Sequence, residues 1–125
     1  MTPEETLELA DQLCRSIERG DLDVVRSLYA TDAVIWANFD DRDGNVDRSL
    51  RILEWMCSKL THRQYEVRRR ELIPGGFLQE HILRGTAPDG SDIAMPACII
   101  ATVSNGVITR IHEYLDPAGV AALNA

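Results

Sequence analysis

The chain has 125 residues, 45% of them hydrophobic and 26% charged. That is one domain of ordinary globular composition, which excludes disordered, collagen-like and low-complexity classes. Thirteen basic against twenty acidic side chains leave a net charge of −7, which repels phosphate and argues against general binding of nucleic acid or an anionic membrane.

The first helix is announced by Thr2 and Glu5, which have capping-box spacing, with Pro3 at the first helical position. This start is acidic and polar, unlike a signal or transit peptide, and no apolar run approaches the roughly 20 residues of a membrane span. A cytoplasmic protein is expected. Leu7, Ala10, Cys14 and Ile17 recur on one face, and Gly20 is a natural stop. Asp21 caps a second, short helix with Val24, Val25, Leu28 and Tyr29 on its apolar side.

A β-branched and aromatic strand is predicted over 33–39, then a loop over 40–44, then a third helix over 45–60. Val46, Leu50, Leu53, Cys57 and Leu60 form the stripe of that helix, widened by Ile52 and Met56. From there the period shortens towards two. Strands are predicted over 64–73, 77–86, 92–103 and 107–115, separated by Pro74-Gly75-Gly76, Pro88-Asp89-Gly90 and Asn105-Gly106. Pro96 marks an edge, bulge or bend. Asp116-Pro117 opens a short final helix over 118–123.

The order ααβαββββ with a short C-terminal helix predicts an α+β domain: helices packed on one face of a curved, mainly antiparallel sheet. A long, twisted sheet over one helix layer leaves a hollow where side chains are small, a natural ligand site. Phe77, Met95 and Ile99 are large enough to fill such a hollow instead.

Three stretches carry a resemblance. They are Leu28-Tyr29-Ala30-Thr31-Asp32-Ala33-Val34 after the helical pair, the strand Trp36-Ala37-Asn38, and the tail from Asn105-Gly106 through Arg110-Ile111-His112-Glu113-Tyr114-Leu115-Asp116. Across almost its whole length the chain resembles the nuclear transport factor 2-like superfamily, in its SnoaL-like branch. The resemblance implies a single domain with a cystatin-like conical α+β barrel and one internal pocket, often as a homodimer. It spans isomerases, epoxide hydrolases, polyketide cyclases, dehydratases, transport factors and non-catalytic binders, so it does not choose an activity. In the epoxide-hydrolase relatives the acid of an Arg-Asp-Tyr motif is catalytic, and His112-Glu113-Tyr114 matches that motif at the acid but not at the arginine.

Parity sorts the candidates. On the last strand Val107, Thr109, Ile111, Glu113 and Leu115 share the more apolar face, expected inside. Glu113 is then a carboxylate in apolar surroundings, where desolvation raises its pKa and suits it to general acid–base work. Tyr114 falls on the opposite face, and Asp116 reads as a cap. On the strand over 77–86 both faces are mixed. With Phe77, Gln79, His81 and Leu83 inward, the preferred reading, His81 meets Glu113 as a proton-shuttling pair. With the other face inward, Glu80 and Arg84 take that place, though Glu80-His81-Ile82 does not reproduce the Arg-x-Asp pattern of the epoxide hydrolases. Trp36 and Asn38 share a face and are expected to hold the polar end of a ligand.

Other patterns carry less. Cys14, Cys57 and Cys98 are odd in number and widely spaced, as free buried thiols are. His62, His81 and His112 lack a ligand spacing, and no phosphate loop, nucleophile elbow or dinucleotide fingerprint occurs, so neither metal nor cofactor is predicted. Arg68-Arg69-Arg70 reads as a solvated or subunit-contact surface. The expectation is a cofactor-independent acid–base enzyme of cyclase, isomerase, dehydratase or hydrolase type, acting on a small, largely apolar organic molecule. The alternative is a non-catalytic ligand-binding or dimerisation domain of the same fold.

Overall fold

Thr2 and Glu5 close a reciprocal capping box, each side chain bonded to the other's backbone, and start helix α1 (Pro3–Arg19). The computed structural model describes residues 1–124. Asp21 accepts from the Val24 amide and starts α2 (Leu22–Ser27). Strands β1 (Tyr29–Ala37) and β2 (Arg42–Gly44) lead into α3 (Val46–Lys59), whose cap is Asn45. Then come β3 (Thr61–Ile73), β4 (Gly76–Thr86), β5 (Asp92–Ser104), β6 (Val107–Leu115) and the short α4 (Ala118–Ala122).

The six strands form one sheet in the order β2-β1-β6-β5-β4-β3. All neighbours are antiparallel except β1 and β6, which run parallel. The Asn105-Gly106 turn has both residues at positive φ, 52° and 83°, as a tight hairpin of the right twist requires. Gly76 opens β4 where no side chain fits, since a Cβ there falls 1.7 Å from the Ala101 carbonyl oxygen. No helix among the described residues is long and apolar enough to cross a membrane.

Two expectations of the sequence need correcting. Residues 42–44, expected as loop, pair with β1 as a short edge strand (Ile35↔Gly44, Ala37↔Arg42). Their polar side chains are compatible with an edge, where one side of the ladder meets water. The alternation of β6 also breaks at its start. A bulge between Thr102 and Val103 pairs Val103 with Ile108 and skips Thr109. Ile108, not Val107 or Thr109, therefore enters the core and is fully buried. Beyond the bulge Ile111 is buried, and Glu113 borders the interior cavities.

Helices α1 and α3 pack on the inner face of the sheet. Leu9, Ala10, Leu13 and Ile17 meet Phe77, Ile99, Ile108 and Ile111 in one buried cluster. A second cluster, Leu60, Leu83, Ile93, Met95 and Leu123, closes the other end. Met56 and Tyr65 touch both. Arg63 fastens the helices to the sheet. Its guanidinium donates to the carbonyls of Ile17 (3.1 Å) and Glu18 (3.2 Å) near the end of α1, and of Cys57 (3.0 Å) and Leu60 (2.6 Å) at the end of α3. These include carbonyls that helix ends leave without partners, met by a positive charge at the negative end of each helix dipole.

Candidate active site

Three partly enclosed cavities of about 80, 100 and 150 Å3 lie between the helix layer and the sheet. All three are bordered by Glu113 of β6 and Leu53 of α3. Their walls are mostly apolar: Leu13, Ile17, Ile99 and Ile111 around the first, Phe39 and Ile52 around the second, Met56, Leu83, Met95 and Leu123 around the third. A larger hollow of about 600 Å3 is an open depression lined by Arg68, Glu80, Cys98 and Tyr114. Glu113 borders the three smaller cavities, whereas His81 borders two of them and this depression as well.

Glu113 faces the interior. The residue is half-buried and lines all three cavities. No hydrogen bond or ion pair reaches it among the described residues. Burial alone pushes its pKa above the ordinary carboxylate range.

His81 also faces inward, because β4 turns Phe77, Gln79, His81 and Leu83 to the core. It is 5% exposed, and it borders two of the three cavities that Glu113 borders. Desolvation, reinforced by the positive charge of Arg70, lowers its pKa to about 4. The imidazole is therefore neutral at pH 7. No direct hydrogen bond joins His81 to Glu113. They share a cavity and are not in the contact that a simple shuttle pair needs. The other face of β4 points away: Glu80 and Arg84 are exposed and engage Arg69 (3.8 Å) and Glu66 (3.5 Å).

Trp36 lies outside these cavities, and Asn38 borders the open depression instead. The parallel register pairs Ala37 with Glu113 and Trp36 with His112. Residues side by side in a ladder share a face, so an inward Glu113 sends Trp36 outward. There Trp36 packs tilted against His112 and edge-on against Tyr114, both at 5.2 Å between ring centroids, and its indole N–H donates to Asp41 (2.8 Å). Asn38 clamps the backbone of Leu115, accepting from its N–H (2.9 Å) and donating to its carbonyl (3.2 Å). Ile35 and Ala37 border the cavities instead. Asp116 accepts from the Ala118 amide at the start of α4 (3.0 Å).

Four polar side chains join the site that the sequence reading did not single out. Tyr29 and Tyr65 both border the first cavity, and burial, with a smaller contribution from the Glu113 charge, raises both phenol pKa values. They are neutral hydroxyl donors. Tyr65 packs edge-on against the His81 ring at 4.9 Å. Gln79, fully buried, hydrogen-bonds His81 Nδ1 (2.8 Å) and the Cys14 thiol (3.3 Å). Arg70 donates from Nε to Gln79 Oε1 (2.8 Å), and its far side lies 3.6 Å from Asp11. Gln79 was visible in principle, since it shares parity with His81. Arg70 was not, because a bulge between Val67 and Arg69 breaks the alternation of β3 and turns Arg70 inward while Arg68 and Arg69 stay exposed. No three His, Cys, Asp or Glu side chains among the described residues come together as a metal site.

Helices closing one face of a mixed six-stranded sheet around an interior hollow define the nuclear transport factor 2-like α+β cone. Solved structures agree over nearly the whole chain. IdmH of Streptomyces antibioticus, a candidate polyketide cyclase, superposes with a TM-score of 0.83 at 18% identity, over 96% of this chain and 99% of that one. An LEH-like epoxide hydrolase of M. tuberculosis gives 0.76 at 17% identity, over 97% and 90%. A Catenulispora acidiphila protein of ketosteroid isomerase-like fold, in complex with trimethylamine, gives 0.79 at 12% identity, over 98% and 93%. At these identities the likeness establishes the fold. No family model matches the sequence, and no curated protein matches it.

Proposed function

We propose that this chain is an acid–base enzyme that moves a proton at the carbon next to a carbonyl in a small, largely apolar molecule. The observation that carries this reading is Glu113: a desolvated carboxylate without a partner among the described residues, bordering all three apolar cavities. Leaving such a group ionised in a low-dielectric site is costly, and the cost makes it a stronger base than a carboxylate in water.

Around the same hollow stand neutral hydrogen-bond donors, the hydroxyls of Tyr29 and Tyr65 and the ring N–H of His81. In the proposed step Glu113 accepts the α-proton and the C–H electron pair becomes the enolate. The negative charge gathers on oxygen, where fixed donors stabilise it. Returning the proton to the same carbon gives exchange, and delivering it to another carbon gives isomerisation. If the enolate carbon instead attacks a second carbonyl of the same molecule, the product is a ring. The isomerase-like and cyclase-like names of the fold neighbours fit this chemistry. Hydrolysis of an epoxide by the Arg-x-Asp arrangement has no support here, because Glu80 and Arg84 point away from the cavity.

The test uses cyclohexanone in D2O, with α-deuteration followed by NMR. The protein should accelerate exchange above the buffer rate, and Glu113→Gln should reduce that acceleration by about 10²–10⁴-fold while cyclohexanone still binds. Binding without acceleration by the unmodified protein would instead favour a ligand carrier and overturn the enzymatic reading.

A further inference from the structure

Arg70, Gln79 and His81 form a hydrogen-bonded chain that runs in one direction only. A guanidinium has donors and no acceptor. The Gln79 amide must therefore present its oxygen to Arg70 Nε (2.8 Å), which leaves its NH2 group facing His81 Nδ1 (2.8 Å) and the Cys14 sulfur (3.3 Å). Both amide hydrogens are thus used. The reversed amide would set N–H against N–H at Arg70. Nδ1, facing a donor, has to be the bare nitrogen, and the ring proton has to sit on Nε2.

We propose that Arg70 and Gln79 are positioning residues that fix His81 as the Nε2–H tautomer, so that the ring offers a ligand oxygen a hydrogen-bond donor and not an acceptor. The inference rests on the proposed function for its catalytic meaning, but the tautomer itself is a property of the resting protein. The groups around His81 are all accounted for. Cys14 of α1, Tyr29 of β1, Tyr65 and Arg70 of β3, Gln79 of β4 and Glu113 of β6 line the same cavity or the chain behind it, α3 contributes Ser49 and Leu53, which do not titrate, and on the side of the open depression stand Arg68 of β3, Glu80 of β4, Cys98 of β5, Tyr114 of β6 and Asp116. The relay opposes a second ring proton twice. Arg70 adds positive charge, and Nδ1–H would have no acceptor unless the Gln79 amide reversed against Arg70.

The experiment is long-range 1H–15N NMR of the histidine rings of the full chain. In the unmodified protein His81 should hold a protonated Nε2 and a bare Nδ1 from pH 8 down to pH 6, with its titration centred near 4. An Nδ1–H tautomer, or an imidazolium at pH 7, overturns the proposal. Gln79→Glu keeps the Arg70 contact but replaces the donor facing Nδ1 with an acceptor. In that variant Nδ1 should become protonated and the midpoint should rise above the ordinary 6.5. An unchanged tautomer there also overturns it. The outcome is independent of turnover: the predicted tautomer in a protein that exchanges no α-protons would keep the relay and discard the enzyme.

Discussion

One carboxylate and one imidazole shift in opposite directions in the same hollow, because desolvation disfavours the charged form of each, the anion of one and the cation of the other. Glu113 has no partner among the described residues, so desolvation acts on it unopposed and raises its pKa. Replacing it with Gln removes a buried charge without changing shape, so Glu113→Gln should unfold at a higher urea concentration than the parent at pH 7 and lose activity, the usual exchange of function for stability at such sites. A lower midpoint would mean that the carboxylate has a stabilising contact and is not a strained base. Trp36 makes the complementary case. Its ring lies against His112 and Tyr114 on the far side of the sheet from Glu113. Trp36→Phe should therefore leave cyclohexanone binding within about twofold and cost stability in the ordinary range for a trimmed, half-buried aromatic, about 1 kcal/mol. A larger loss of binding would put the indole back at the site.

Among the elements, turns and caps were the most legible, because each rests on a local rule: the Thr2–Glu5 box, Asp21, and the Asn105-Gly106 hairpin all occur as read. Strand faces were legible only as far as the alternation ran unbroken. Parity put Glu113 and His81 on candidate inward faces, but it could not show that β1 joins β6 in the register that expels Trp36, since register depends on a distant partner strand (Trp36 against His112, Ala37 against Glu113). Bulges at Thr109 and Arg68 reversed the alternation silently, hiding Ile108 in one case and Arg70 in the other. A third irregularity carries its own prediction. His62 at φ 55° lies in the register shift between Thr61 and Gln64, and next to it Arg63 reaches the ends of α1 and α3. Arg63→Met keeps the aliphatic stem but strands carbonyls at both helix ends. The expected cost is about 3 kcal/mol, in line with losing charge-assisted hydrogen bonds and leaving partly buried acceptors unmet. It is read as a lower urea midpoint at an unchanged slope. A loss under about 0.5 kcal/mol would show that water serves those carbonyls equally well.

For the whole molecule the two buried ionisable groups pull stability in opposite directions with pH. His81 has its pKa lowered from 6.5 to about 4, so between those values the unfolded chain binds more protons than the folded one. Its contribution is complete above pH 6.5 and is lost as the pH falls through about 4. At 5% exposure little of this is screened by water. A shift of this size corresponds to about 3 kcal/mol of stability that acid removes. Glu113 behaves in the reverse sense. Its folded pKa is raised above 4.5, so its favourable contribution is complete below that value and fades as rising pH ionises it inside the fold. Variants separate the two against the background of the other acidic groups, which are common to all. His81→Asn, whose side-chain oxygen can still accept from Gln79, should flatten the loss of stability between pH 6.5 and 4, falling below the parent at pH 7 but approaching it at pH 4. Glu113→Gln should do the opposite, matching the parent at pH 4 and exceeding it at pH 8. Urea midpoints collected across this range give two difference curves of opposite sign. If both variants instead shift the midpoint by a constant amount at every pH, neither group is ionising in the cavity, and the electrostatic basis of the site is wrong.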